Sequence, residues 1–176
     1  MQRWRVPLGF ACAVVFFILG RPRPATLMVG AAVALPGLAL RAWATGYLKK
    51  NDVLAVTGPY AYTRNPLYLG SFLIGLGFTI AAGKLVLGLV FAALFVGIYL
   101  PVMRVESQTL AGLFGESYRR YASSVPLFFP RLSPYSGKNA AGTFDPKLYR
   151  RYREYQAALG LVIAWALLAL KAWYFR

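Results

Sequence analysis

Five apolar runs, at residues 4–20, 25–44, 67–82, 85–103 and 158–175, constrain this chain more than any other feature. A helix of about 20 apolar residues crosses the hydrocarbon core of a bilayer, so each run is a candidate span and 67–82 is a short one. The composition agrees: 59% of the residues are hydrophobic and the mean hydropathy is +0.52, above the usual range of soluble domains. The expected architecture is all-α, a polytopic membrane helical bundle of about five transmembrane helices forming one domain over residues 1–176.

The first run follows Arg3 and Arg5, like a signal peptide, but ends in Gly20-Arg21-Pro22-Arg23-Pro24 with no small-residue cleavage site before the charges. It is therefore expected to stay as a span. Pro36-Gly37 inside the second run predicts a kink or a close helix contact. In the third, Ser71, Gly75 and Gly77 supply small residues that let membrane helices approach. Gly83-Lys84 predicts a tight reversal, making residues 67–103 a helical hairpin that returns Arg64 and Glu106 to one membrane face. Beyond it, Leu110, Leu113, Phe114, Tyr118 and Tyr121 recur at helical spacings, predicting an amphipathic interfacial helix over 106–122. A proline-bounded apolar strap (125–130), a flexible loop (133–142) and a cationic stretch after Pro146 follow.

Charge sets the expected orientation. With five spans, fifteen of the 20 Lys and Arg fall on the side of the N-terminus, which predicts that this side is cytoplasmic. The formal charge of +15 thus fits loops facing anionic lipid, and no nucleic-acid partner is expected, because the cations are not gathered on a soluble module. The chain has no histidine and a single cysteine, Cys12. That removes Ser-His-Asp and Cys-His catalysis, histidine-ligated metal, Cys-based zinc and any internal disulfide.

Between the second and third runs lies Gly58-Pro59-Tyr60-Ala61-Tyr62-Thr63-Arg64-Asn65-Pro66-Leu67-Tyr68-Leu69-Gly70. Gly58-Pro59 reads as a turn; Asn65-Pro66 reads as an N-cap followed by proline at the first helical position, so a helix should begin there with Arg64 at its mouth. After the hairpin come Arg104-Val105-Glu106-Ser107, Phe114-Gly115-Glu116-Ser117-Tyr118, Tyr121, Val125-Pro126 and Phe128-Phe129-Pro130. These two blocks, 58–70 and 104–130, resemble the Gly-Pro-Tyr with Arg-His-Pro-x-Tyr-x-Gly signature, and the later paired-glutamate, Phe-Gly and Val-Pro signature, of the isoprenylcysteine carboxyl methyltransferase family. That family shares a superfamily with the phospholipid N-methyltransferases. Asn65 stands where the family usually has histidine, and Ser107 where it usually has the second glutamate.

The resemblance implies S-adenosylmethionine as methyl donor, S-adenosylhomocysteine as product and no metal. It implies a cofactor site drawn from Tyr60, Asn65, Pro66, Tyr68, Gly70, Glu106 and Ser107, with Arg64 as the catalytic candidate that orients a substrate carboxylate. The residue types suit that chemistry, because a carboxylate pairs with the donor's ammonium, tyrosine faces stabilise a sulfonium, and a guanidinium fork matches a carboxylate. Tyr62 is of the same type. A carboxylate acceptor is already ionised at neutral pH, so alignment and exclusion of water suffice without histidine. The expected function is carboxyl O-methylation of a lipophilic, isoprenylcysteine-like substrate arriving from the bilayer. Two alternatives stay open: N-methylation of a phospholipid or other lipid, and a donor-binding or structural membrane protein without turnover. Membrane lipids are the expected surroundings, and the glycine-bearing helix faces are compatible with an oligomer.

Overall fold

A computed structural model describes residues 14–48, 53–136 and 142–174. In chain order they form α1 (14–19), α2 (Pro24–Thr45), a 3-10 turn (Gly58–Ala61), α3 (Pro66–Ala82), α4 (Leu85–Leu94), a π turn (Phe95–Tyr99), α5 (Leu100–Ser124), α6 (Pro146–Arg151) and α7 (Tyr155–Tyr174). No strand occurs among the described residues. Among the described residues three helical stretches are long and apolar enough to cross a membrane, Pro24–Thr45, Leu85–Ser124 and Tyr155–Tyr174, while α3 is a shorter apolar helix. The expected first span lies mostly outside the described residues. Many large apolar side chains point outward, among them Leu85, Leu89 and Ile163. On a membrane protein this outward face meets lipid.

The packing that organises the bundle is α2 against α3, antiparallel and very close. A Cβ on Gly77 would stand 2.5 Å from the carbonyl oxygen of Gly30, and one on Gly70 would stand 2.7 Å from that of Gly37. Thr26 Oγ1 donates to the Ala81 carbonyl further along the same register. Glycine carries no side chain to hold two backbones apart, which is the close approach foreshadowed at Gly37 and Gly77. Pro36 sits within an α2 that runs unbroken from Pro24 to Thr45.

The reversal at Gly83 is as expected: its φ of 66° is left-handed, its N–H caps the Ile80 carbonyl, and α4 starts two residues later. At this end of the bundle the Arg21 N–H donates to the Ala82 carbonyl, and Lys171 of α7 donates to the carbonyls of Phe17 and Ile18. The start of α3, the end of α2 and the start of α7 therefore share the opposite end.

One element departs from the sequence expectation. The stretch 106–122 is helical as expected but does not begin a helix of its own: it starts inside α5, which continues from α4 through the π turn. Pro101 explains the join. A proline inside a helix lacks the N–H and crowds the carbonyl four residues back, and the widened turn at Phe95–Tyr99 absorbs that mismatch without ending the helix. A break falls later, at Gly115, whose φ of 52° and ψ of −125° are reached readily only by glycine.

Candidate functional site

The first block is laced to the residues that follow α5. Gly58, at φ 58°, opens the 3-10 turn with the Tyr47 ring packed where a side chain would be. From there Tyr121 OH donates to the Tyr60 carbonyl at 2.7 Å, Tyr135 N–H to that of Ala61 at 2.9 Å, and Arg131 N–H to that of Tyr62 at 2.9 Å. In the other direction Thr63 Oγ1 donates to the Phe128 carbonyl at 2.9 Å and Arg64 N–H to that of Pro126 at 3.0 Å. The 125–130 strap thus lies along the entrance to α3, and both blocks form one unit.

Asn65 occupies the N-cap position of α3 but does not cap with its side chain. Its Nδ2 donates instead to the Leu127 carbonyl at 2.9 Å, fastening the strap. The expected cap contact is replaced because the strap offers an otherwise unpaired carbonyl beside it, and such a group must find a donor.

With the backbones tied this way, five side chains meet in two bonded groups. Tyr68 OH donates to Glu106 Oε2 at 3.0 Å, joining the first turn of α3 to α5. One helical position on, Ser107 Oγ and Tyr118 OH lie 2.6 Å apart, and Arg64 Nη1 donates to each at 3.3 Å. Arg64 Nε is buried with no hydrogen-bond partner. A buried donor left unmade costs about 1–3 kcal/mol, more on a charged group, so the Arg64 side chain is held at this place at a cost in stability.

Aromatic rings wall one side. Tyr68 meets Tyr99 edge-on at 5.7 Å, Tyr99 stacks on Phe95 at 4.8 Å, and Phe128 of the strap packs on Phe95 at 5.4 Å and on Phe72 at 5.7 Å. The π turn carries both Phe95 and Tyr99, so the same irregularity that accommodates Pro101 also builds this wall.

The remaining site candidates are placed differently. Tyr60 is 7% exposed, and burial raises its phenol well above the ordinary range; the charge of Tyr121 and then that of Glu106 push the same way, against Arg41. It is neutral and close to the cluster's charges. Pro66 is buried at the start of α3, and Gly70 faces α2 against Gly37 and Arg41. Arg64, Tyr68, Glu106 and Ser107 are the candidates that the fold brings together.

Two groups had no functional reading in the sequence. Tyr118 looked like one more apolar-face position of a helix. Arg41, inside the second apolar run, had been counted only among the cations of one membrane side; in α2 its Nε donates to Glu154 Oε1 at 2.6 Å, Nη2 to Oε2 at 3.1 Å, and Nη1 to Ser71 Oγ at 2.5 Å. The pair joins α2, the first turns of α3 and the start of α7. Its sole trace in the sequence was an acid, Glu154, set at the end of a cationic stretch.

The family model for phospholipid methyltransferase matches residues 25–117, more than half the chain and the part that carries Arg64, Tyr68, Glu106 and Ser107. The chain belongs to the phospholipid methyltransferase family. This family member is similar to the cobalt-zinc-cadmium resistance protein CzcN of Cupriavidus metallidurans, at 36% identity over 146 residues, 77% of the chain and 66% of that protein. It is similar to the nickel-cobalt-cadmium resistance protein NccN of Alcaligenes xylosoxydans xylosoxydans, at 33% identity over 127 residues, 69% of the chain. It also resembles the protein-S-isoprenylcysteine O-methyltransferase of Schizosaccharomyces pombe, 33% identical over 81 residues, 46% of the chain and 34% of that enzyme. The chain spans 66% and 58% of the lengths of the two resistance proteins. No solved structure matches it.

Proposed function

We propose that this membrane protein is an S-adenosylmethionine-dependent methyltransferase that esterifies the carboxylate of a lipophilic acceptor. One observation carries the proposal: at the mouth of α3 the two blocks are joined by two bonded groups, the Arg64 guanidinium held by the Ser107 and Tyr118 hydroxyls, and the Tyr68–Glu106 pair.

The residues present suit the donor. Glu106 is exposed at the cluster and already accepts from Tyr68, which leaves lone pairs for an ammonium group. The faces of Tyr68 and Tyr99 offer the negative quadrupole that a cationic sulfur favours. When bound, S-adenosylmethionine supplies a methyl group activated by its positive sulfur. The protein's part is positional: Glu106 and Tyr68 hold the donor's amino-acid end, Arg64 fixes the acceptor carboxylate, and the Phe72–Phe95–Phe128 wall keeps water away. An ionised carboxylate needs no base, which fits a chain without histidine. The motif end carries most of the cations, supporting a cytoplasmic placement of the site.

A lipid amine as acceptor has one observation in its favour, the description of the matched family. Two relatives are named for metal resistance. With no histidine and one cysteine the chain holds few soft metal ligands, so a tie to metal tolerance would run through a methylated product.

The test is transfer of isotope-labelled methyl from S-adenosylmethionine to a bacterial lipid extract and to a synthetic S-alkylcysteine, using the detergent-purified protein. Label released by mild base is the expected result, since esters hydrolyse and methylamines do not. Base-stable label would replace the carboxylate acceptor with an amine. Donor binding without transfer would favour the non-catalytic alternative.

A further inference from the structure

The charges around Arg64 bear on selectivity as well as on the reaction. Every acid among the described residues is engaged away from Arg64. Glu154 is paired with Arg41, Glu116 lies 3.7 Å from Arg119, Asp145 caps the start of α6 through the Lys147 N–H, and Glu106 accepts from Tyr68. What faces the Arg64 guanidinium from α5 is Ser107, a neutral hydroxyl 3.3 Å from Nη1, itself bonded to Tyr118 OH. A guanidinium in proteins is always charged and offers five N–H donors in a rigid fork, and a carboxylate takes two of them side by side. Here Nη1 is shared between two hydroxyls, and Nε, buried, has none.

Position 107 is therefore a switch on that charge. A glutamate there would project from α5 toward the same Nη1 that Ser107 now touches and would close an internal ion pair. Serine holds the guanidinium in place through neutral hydrogen bonds and leaves its charge uncompensated.

We propose that Ser107 is the specificity-determining residue that keeps Arg64 open as a carboxylate socket. The proposal rests on the methyltransferase reading above for what the carboxylate belongs to. Two sources share the chemistry: the acceptor's own carboxylate and the carboxylate of the donor's amino-acid end. In either case a neutral or cationic group at the same point gains nothing from Arg64, so the socket selects by charge.

The experiment compares wild type, Ser107→Glu and Ser107→Ala in nonionic detergent, each first shown to be folded by thermal unfolding. Binding is measured calorimetrically for tetradecanoate and its methyl ester, and for S-adenosylmethionine and its decarboxylated form. An acceptor socket predicts that wild type binds tetradecanoate over its ester and that Ser107→Glu weakens tetradecanoate about tenfold or more, the scale of one charge-assisted contact. A donor socket predicts that wild type favours S-adenosylmethionine over the decarboxylated form and that Ser107→Glu erases the preference. Ser107→Ala removes one hydrogen bond to Arg64 but adds no charge, so it should keep the carboxylate preference and lose clearly less affinity than Ser107→Glu for whichever carboxylate binds. The proposal is overturned if Ser107→Glu leaves both carboxylate preferences intact, if it raises donor affinity with no carboxylate loss, or if Ser107→Ala loses as much as Ser107→Glu. A wild type that selects tetradecanoate at Arg64 but binds no S-adenosylmethionine would uphold the socket and sink the methyltransferase reading.

Discussion

Tyr60 shows how single residues in the first block are tuned. Its phenol is buried and raised far from its ordinary value of about 10, chiefly by that burial. The folded protein thus keeps a proton that the unfolded chain gives up as pH passes 10. Its contribution to stability is complete below that pH and declines above it, toward the raised folded value. Thermal unfolding between pH 8 and pH 11 should therefore show a steeper alkaline loss in wild type than in Tyr60→Phe, and equal slopes would contradict the buried placement. Residues of this kind were legible as a motif, since Gly58-Pro59 and Asn65-Pro66 announce turn and helix start. What Asn65 does with its side chain was not legible, because its partner, the Leu127 carbonyl, comes from a segment 62 residues away in sequence. Tyr68 and Glu106 were both assigned to the donor site through the resemblance, and their direct bond is a finding of the fold.

Among the elements, α2 and α3 form the scaffold on which the site stands, because the mouth of α3 carries Arg64 and its first turn carries Tyr68. Their contact depends on glycine at two crossings. Gly77→Ala would drive a methyl into the Gly30 carbonyl and is expected to cost about 1–3 kcal/mol, read as a lower thermal midpoint in detergent. Gly160→Ala on α7 meets nothing within 4 Å and should leave the midpoint unchanged or raise it, by up to about 1 kcal/mol. Equal effects of the two would refute the close crossing. The helices themselves were readable from run length, with α3 and α4 starting within a residue of expectation. The continuity of α4 into α5 was hidden: the sequence shows a change from apolar to amphipathic pattern at about residue 104, and the backbone carries on regardless. Only a structure reveals that the π turn, rather than a helix end, answers Pro101.

For the molecule as a whole, the Arg41–Glu154 pair ties the last helix to the first turns of α3 and so to the site. Glu154 is 8% exposed, and removing its charge leaves Arg41 with neutral partners and no counter-charge. Glu154→Gln is expected to destabilise by about 3–5 kcal/mol, whereas replacing both partners with apolar residues should restore much of the loss. A double-mutant cycle by thermal unfolding checks this; additive losses would show that the two do not act as a pair. The contact spans 113 positions of sequence, with neither a motif nor a periodicity to mark it, which is why the sequence did not pair Arg41 with Glu154. The central claim is that the two motif blocks meet to form a donor site. Calorimetric titration of S-adenosylhomocysteine into the detergent-purified protein, with Glu106→Gln beside wild type, tests it most directly. Micromolar binding by wild type, weakened about tenfold or more in Glu106→Gln, is the predicted result; no binding by a folded wild type, or equal binding by both, would contradict the account.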